Sequence, residues 1–264
     1  MVRWITAVGF VLLISGGIAQ QPPVRARFDA FEVATIKRVD PEAKASRFIR
    51  MQGNNRFVAT NYTMKLLLAA AYDLNPRAIS GGPAWMDADK YDVVAVTPGD
   101  VRPSRDEQMA MLRKLIEERF KLRFHREPKE LSMYVLEVAK GGPKLKASSA
   151  RAEDASNVIC TVYPGKILLP ARNVTIGDVT RMMQRAIFDR PVVDATGLSA
   201  RYDFDLQWAP DESQFGGEIP AATEAATDPP LFVAMEQQLG LKLEARRGPV
   251  STMVVDGVER PTAN

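Results

Sequence analysis

Histidine and cysteine carry much of the catalysis and metal binding in proteins, and this sequence of 264 residues has one of each, His125 and Cys160. A single cysteine excludes an intramolecular disulfide and a cysteine-rich zinc site, and a single histidine excludes motifs that place a pair of histidines on one metal. A Ser-His-Asp triad would have to use His125. The G-x-S-x-G, S-x-x-K, Walker A and G-x-G-x-x-G motifs do not occur. We therefore expect a protein that is not an enzyme, with no catalytic residue, metal site or cofactor.

Cations surround the histidine in the segment RFKLRFHREPK, residues 119–129. If this segment is a β-strand, Lys121, Arg123 and His125 share one face, because side chains alternate along a strand. Leu122 and Phe124 then face the opposite way. Such a basic face could bind anionic lipid, an acidic glycan or the carboxylates of a partner protein. The candidate binding residues are Arg119, Lys121, Arg123, His125, Arg126 and Lys129.

Solvation is the alternative explanation for this basic segment. Exposed cations often pair with nearby acids, here Glu117, Glu118 and Glu130, and such pairs contribute little to stability. In that case His125 is a polar residue on a solvated strand face. The sequence leaves both explanations open.

Pairs of aspartates have a spacing that could serve acid–base chemistry or bind calcium. Asp203 and Asp205 lie two residues apart on a predicted strand, and Asp87 and Asp89 flank Ala88. Neither pair has the glycine turn and distal glutamate of an EF-hand loop. An envelope hydrolase that uses Asp203 and Asp205 is the alternative function, and an outward strand face and a turn are the structural alternatives for the two pairs.

The elements that would position these residues occur twice along the chain. The pattern Asn-x-Thr at residues 61–63 recurs at 173–175, an offset of 112, and the pair at 91–92, Tyr-Asp, recurs at 202–203. Farther on, Leu-Arg-Phe at 122–124 matches Leu-Lys-Leu at 241–243, an offset of 119. Agreement in order and spacing over such a length predicts a tandem duplication.

Each copy has the same predicted elements. Thr63 and Thr175 have the position of helix N-caps, and Ser104 with Glu107 forms a capping box for a further helix. Short strands are predicted to close each copy, at 121–125 and 133–139 and again at 241–245 and 251–255, and a last helix to start at Asp228. The fold class is therefore α+β, with two tandem pseudo-symmetric lobes, each a small, mostly antiparallel sheet with two helices.

The domain boundaries follow from composition. Residues 1–19 combine an early Arg3, an apolar run and small residues at the end, which is typical of a secretory signal peptide. The other ranges are a first lobe at 28–140, a linker at 141–156 and a second lobe at 157–264 with a flexible insertion at 211–228. Elsewhere no apolar stretch is long enough for a membrane span. The formal net charge of +3 is too small for a polybasic nucleic-acid binder, so nucleic acid is not an expected partner.

Several segments, once aligned in order, are similar to a known family. ISGGPAWMDADKYDV, LIEERFKLRFHREPKELSMYVLEVAKGGPKLK, RPVVDATGLSARYDFDLQW and VVDGVERPTAN resemble the soil-associated, uncharacterised exported family of acidobacterial type, over residues 31–264. The resemblance implies an exported protein of a diderm envelope, and family members often lie near genes for sensor-type membrane metallopeptidases. Each lobe also loosely resembles the short N-terminal domains of secretins and TonB-dependent receptors. Gly257 departs from the family pattern, in which a larger residue, often histidine, is expected.

These observations predict a periplasmic or secreted, non-catalytic binding protein. Its partner would be an envelope protein or an acidic polymer that docks on a sheet edge or in the groove between the lobes. A sensory domain that acts with a membrane peptidase is a further alternative, and it differs only in the partner. Neither the partner nor the oligomeric state follows from the sequence.

Overall fold

The structure is a computed structural model that describes residues 27–42, 46–151, 154, 156–223 and 226–261. The predicted signal peptide, residues 1–19, lies outside these residues, as do parts of the predicted linker and insertion. Each helix within the described ranges is too short or too polar to cross a bilayer.

Strands and a smaller number of helices alternate along the chain, so the predicted α+β class is confirmed. The strands are β1 Val33–Arg38, β2 Phe48–Gln52, β3 Arg56–Thr63, β4 Ile79–Gly81, β5 Lys90–Val96, β6 Arg123–Val138, β7 Lys146–Ala147, β8 Asn157–Val158, β9 Thr161–Tyr163, β10 Lys166–Val174, β11 Val192–Asp194, β12 Tyr202–Trp208 and β13 Leu241–Gly257. The α-helices are α1 Met64–Ala71, α2 Trp85–Ala88, α3 Arg105–Arg119, α4 Ile176–Met182 and α5 Leu231–Ala234. Helices α4 and α5 continue into π-helical turns, Met183–Ile187 and Met235–Leu239, and short 3-10 turns cover Pro76–Ala78 and Phe215–Gly217.

Three sheets organise the described residues. The first has the strand order β1-β5-β3-β2, and the second has the order β7-β12-β10-β8, with β9 also paired to β10. The third is a central sheet of order β11-β6-β13-β4, in which β6 and β13 pair antiparallel along their whole length. The short strands predicted at 121–125 and 133–139, and at 241–245 and 251–255, are therefore wrong as separate elements, because each pair is one long strand.

The long strands connect the two hydrophobic cores. Met253 and Val255, near the end of β13, pack in the core that contains α1 and α3, and Leu136, near the end of β6, packs in the core that contains α4 and β12. The edge strand β4 runs parallel to residues 253–255, and β11 runs parallel to residues 134–136. Each core therefore takes residues from both predicted lobe ranges, 28–140 and 157–264, and the boundaries themselves stay a prediction.

Local details recur in the two halves of the chain. Asn61 and Asn173 both have positive φ, 60° and 53°, and each backbone N–H donates to an aspartate, Asp92 or Asp203, over 2.8 Å. Asparagine is one of the few residues with a side chain that tolerates this conformation. The residues Glu130 and Pro249, which are 119 positions apart, pair with each other at the middle of β6 and β13. These matches support a duplication, and the symmetry of whole lobes stays a prediction.

The predicted helix starts agree with the structure at three places and differ at one. Thr63 accepts the N–H of Leu66, and Ser104 and Thr175 each form a capping box. The last helix begins at Leu231 after Pro230, not at Asp228. Its end is as predicted, since Gly240 has the left-handed conformation that ends a helix.

Candidate binding cleft

An open cleft of about 610 Å³ lies where α3, β6 and β13 meet. Its lining residues are Glu117, Leu122, Arg123, Phe124 and Asp256. Lys121 turns the chain from α3 into β6 with a φ of 51°, so it precedes the strand rather than sharing a strand face, which corrects the prediction for this residue. The helix end and both long strands therefore place the predicted basic segment around one concave surface.

The alternation predicted for the start of the strand is confirmed. Leu122 is buried and Phe124 packs partly buried against the first core, whereas Arg123 and His125 are exposed. Arg126 lies on the same side of the strand as Phe124, because it is two residues farther on. The basic residues therefore lie on both sides of the strand and do not form one basic face.

Most of the predicted cations have no acid partner. Arg119, Lys121, Arg123 and Arg126 form no ion pair with any residue that the structure describes. Two of the three acids proposed to neutralise them have other partners: Glu117 accepts a hydrogen bond from the Tyr72 hydroxyl at 2.9 Å, and Glu118 pairs with Lys114. Local pairing therefore does not explain these four residues.

The remaining predicted residues are compensated. The Nδ1 atom of His125 lies 2.9 Å from Asp256 Oδ1, with both side chains about half exposed. The Nζ atom of Lys129 lies 2.7 Å from Glu127 Oε1 and also donates to the Ser80 hydroxyl. The structure thus separates the predicted set into four cations without an ion pair among the described residues and two residues with acid partners, His125 and Lys129.

Aromatic rings lie beside the unpaired cations. The Arg126 guanidinium lies 6.0 Å from the Tyr72 ring centroid and 5.8 Å from that of Phe124, and the two rings meet edge to face at 5.1 Å. Arg113 lies 5.8 Å from the Tyr72 ring and donates to the Ala71 carbonyl at the end of α1. Burial and the hydrogen bond to Glu117 raise the pKa of Tyr72, so its hydroxyl stays protonated and acts as a donor.

Sequence reasoning missed the contribution of Tyr72 and Arg113 to this surface. Tyr72 is the residue that ends α1. Because Tyr72 is far from β6 in sequence, no local pattern predicts the contact between its ring and Phe124. A signal was present in the spacing of Arg113 and Glu117, which lie four residues apart and so on one face of α3.

The absence of a side chain at Gly257 leaves room for the Arg123 guanidinium. A Cβ atom on Gly257 would lie 2.7 Å from Nη2 of Arg123 and 3.2 Å from its Nε. The guanidinium therefore lies directly over the glycine, in space that a larger residue would occupy. A larger residue at position 257, which the resemblance leads us to expect in relatives, would displace this cation of the cleft.

The sequence model of a family described as "Protein of unknown function (DUF3738)" matches residues 65–258. The chain belongs to the DUF3738 family. No curated protein and no solved structure matches the chain. The predicted resemblance to an uncharacterised family is confirmed, and the soil-associated acidobacterial origin and the likeness to secretin and TonB-dependent receptor domains stay predictions. Every lining residue of the cleft lies inside the range that matches DUF3738.

The first pair of aspartates has structural contacts in this DUF3738 protein. Asp203 accepts the N–H of Asn173, a bond that lowers the pKa of this carboxyl, and Asp205 pairs with Arg172 at 2.8 Å. A general acid needs a raised pKa, which Asp203 does not have. The pair therefore holds a bulge of the second sheet in place, and its two carboxylates have separate partners.

The second pair is also structural. Asp87 pairs with Lys65, and the buried Asp89 pairs with Arg38 at 2.6 Å and Arg260 at 2.8 Å. The hydrogen bond from Arg260 is the main cause that lowers the pKa of Asp89. Within the described ranges, no group of three His, Cys, Asp or Glu side chains could hold a metal ion.

Proposed function

We propose that this DUF3738 protein is an exported, non-catalytic binding protein of the bacterial envelope, and that its cleft docks a carboxylate-bearing partner, either an envelope protein or an acidic polymer. The observation that carries the proposal is the group of cations without an ion pair around the cleft. Arg123 lines the cleft with Leu122, Phe124 and the acids Glu117 and Asp256, and Arg126 lies on the other side of β6 beside Phe124. A guanidinium matches a carboxylate in planar, bidentate geometry.

The surroundings of Arg126 and Arg123 favour contact with an acidic partner over solvation. Exposed Arg126 lies against two aromatic rings, which hold its guanidinium in one orientation. Arg123 lies over Gly257, which has no side chain to displace the guanidinium. Cations that are already ordered lose less side-chain entropy when a partner binds. Arg126, beside the cleft, is therefore a cation already placed for an acidic group, and Arg123 is the cation of the lining itself.

Binding suits the cleft better than catalysis. The only imidazole, on His125, is half exposed and contacts Asp256, and within the described residues no hydroxyl or thiol group donates a hydrogen bond to it. The thiol of Cys160 is mostly buried, and burial raises its pKa to about 12, so it is a poor nucleophile. The basic cleft is thus a docking surface without an activated nucleophile beside it.

A direct binding measurement tests the proposal. The double variant Arg123→Gln with Arg126→Gln should bind poly-L-glutamate at least about tenfold more weakly than the parent chain, because charge-assisted hydrogen bonds contribute about 1.5–3 kcal/mol. The variant Lys242→Gln with Arg246→Gln removes the same charge from cations that have acid partners, so it should bind as the parent does.

The charge-reversed pair, Arg123→Glu with Arg126→Glu, extends the test to natural partners. We expect it to recover less of the partners that the parent chain captures from native envelope, while circular dichroism shows an unchanged fold. Equal binding of poly-L-glutamate by the parent and the Arg123/Arg126 glutamine variant would remove the cleft as the docking surface.

A further inference from the structure

A second group of cations lies where the two halves of the chain touch, away from the cleft. Asp73, just after α1, has a φ of 51° and lies near guanidinium groups from two other segments, α3 and the helix formed by α4 and its π-helical continuation. Arg185 Nη1 lies 3.0 Å from its carboxylate, Arg105 Nη2 lies 3.9 Å from it and Arg181 Nε lies 4.0 Å from it. We name Arg105, Arg181, Arg185 and Asp73 the arginine groove.

The arginine groove has more positive than negative charge at close range. Of the three arginines, only Arg185 donates a hydrogen bond to Asp73. Arg105 makes no hydrogen bond to another described residue, although its guanidinium has five N–H donors. Arg181 has a second acid, Asp178, on its own helix. The Asp73 carboxylate is therefore shared by three guanidinium groups, and that of Arg105 has the fewest hydrogen-bond and ion-pair partners among the described residues.

The lowered pKa of the partly buried Arg185 shows that Asp73 does not offset the excess of positive charge in the groove. Removal from solvent and the nearby charge of Arg105 lower the pKa of Arg185 to about 10, against a smaller opposing effect of Asp73. A guanidinium resists such a shift unless it is both desolvated and near other cations. An additional anion in the groove would remove this mutual repulsion.

A phenol and a fourth guanidinium extend the groove. Tyr62 is partly buried, and the charges of Arg47, Arg185 and Arg105 oppose the rise that burial causes in its pKa, so its hydroxyl lies in their field. Arg47 lies 5.9 Å from the centre of the Tyr62 ring. Arg105 is also the first residue of the 15-residue helix α3, whose N-terminus adds a positive dipole.

We propose that the arginine groove binds a tetrahedral oxyanion, the phosphate or sulfate group of a small molecule, between Arg105 and Arg181. Planar guanidinium groups bind such oxygens in pairs, and the phenol of Tyr62 supplies a further donor. Asp73 holds Arg185 in place, and the ligand supplies the negative charge that the groove lacks. The site is separate from the cleft, so it stands whether or not the cleft binds carboxylates.

Calorimetric titration of the full chain tests the site, with inorganic phosphate and inorganic sulfate in parallel at an ionic strength held constant by sodium chloride. We expect saturable binding of at least one of the ions. Arg105→Gln should weaken it at least about tenfold, through loss of charge-assisted hydrogen bonds. This variant should fold, because the replaced guanidinium makes no hydrogen bond within the described residues.

Matched variants show whether the effect is local. Arg102→Gln removes the same charge from an exposed residue just before α3 and should leave the affinity unchanged. The Arg123→Gln, Arg126→Gln variant should also bind the ion normally, which separates this site from the cleft. Failure of both ions to saturate the chain, or equal affinity of the parent and Arg105→Gln, would overturn the proposal.

Discussion

The two ends of the central sheet have similar backbones and different charge arrangements. Near the start of β6 are Arg123 and His125, and near the start of β13 are Lys242 and Glu244, 119 residues farther along the chain. Near the start of β6 the arginine has no ion pair among the described residues. Near the start of β13 the lysine has one. The difference lies in side chains, since both strands belong to one antiparallel pair.

Near the start of β13, acidic side chains neutralise the cations. Glu244 accepts hydrogen bonds from Lys242 and from Arg246, and these bonds lower the pKa of Glu244 to about 2. Arg246 also reaches Glu137 on β6 at 2.7 Å. At the other end His125 holds the place that corresponds to Glu244. The residue at this one position therefore controls pairing: Glu244 forms ion pairs with the neighbouring cations, whereas His125 leaves Arg123 available to a partner.

The largest expected effect comes from damage to the scaffold that both ends share. Leu136→Ala should lower the free energy of unfolding by about 2–5 kcal/mol, because it leaves a cavity at a fully buried site where β6 packs in the second core. Urea denaturation measures this loss. Leu131→Ala, at a partly exposed place on the same strand, should cost about 1 kcal/mol or less. Equal losses for both variants would contradict the role of β6 in the second core.

The long strands also mark the limit of what the sequence predicts. Three of the four helix starts and the alternation from Leu122 to His125 depend on neighbouring residues, and local pattern predicted them correctly. The middle of β6 contains Pro128 among charged residues, which is typical of a turn. In the structure this polar middle crosses between the two cores and pairs with β13. Only the distant partner strand makes it a strand.

The candidate site shows the same division. The basic segment was recognised because its cations are contiguous in sequence. Their lack of acid partners was not predictable, because it depends on Tyr72 engaging Glu117 and on Lys114 engaging Glu118 in three dimensions. The arginine groove combines residues from both halves of the chain, so no local pattern indicates it.

The next largest effect concerns the tail that follows β13. After β13, the N–H of Glu259 donates to the Phe120 carbonyl at 2.7 Å, and Arg260 binds the buried Asp89. Asp89→Asn should lower the free energy of unfolding by about 2 kcal/mol at pH 7, because it weakens charge-assisted bonds to Arg260 and Arg38. Urea denaturation of both chains measures it, and the tail beside the cleft should loosen.

The pH dependence of that loss follows from the lowered pKa of Asp89. The carboxyl of an unfolded chain has a pKa of about 3.9, so the stabilisation is fully present above that value and disappears as the pH falls through the lower pKa of the folded state. The difference between the parent and Asp89→Asn should therefore be constant from pH 7 to 5 and shrink in stronger acid. A difference that does not change down to pH 2 would show that the charge of Asp89 does not contribute.

Exchange of the deciding residue sharpens the comparison between the ends. His125→Glu places an acid beside Arg123, as Glu244 is placed beside Lys242, and should weaken poly-L-glutamate binding about tenfold, roughly 1.4 kcal/mol. Conversely, Glu244→Gln frees Lys242, whereas Arg246 keeps its pair with Glu137, and this variant should strengthen binding through a second docking end. Because the groups involved are exposed, both variants should keep their stability within about 1 kcal/mol. If the affinity moves in neither variant, the residue at this place does not control the charge available for docking.

The smallest expected effect tests how Arg123 is positioned. Gly257→Ala puts a methyl group where the Arg123 guanidinium lies, and the φ of Gly257 is outside the left-handed region, so the backbone accepts alanine without strain. The flexible arginine should move, which leaves stability within about 0.5 kcal/mol of the parent. Poly-L-glutamate binding should weaken about threefold, roughly 0.7 kcal/mol, because the charge remains and only its placement changes.

Gly248→Ala is the matched control, since its Cβ would contact the Met133 side chain in the middle of the sheet, away from the cleft. Equal binding by the Gly257→Ala and Gly248→Ala variants would show that the glycine at 257 does not direct Arg123 toward a partner.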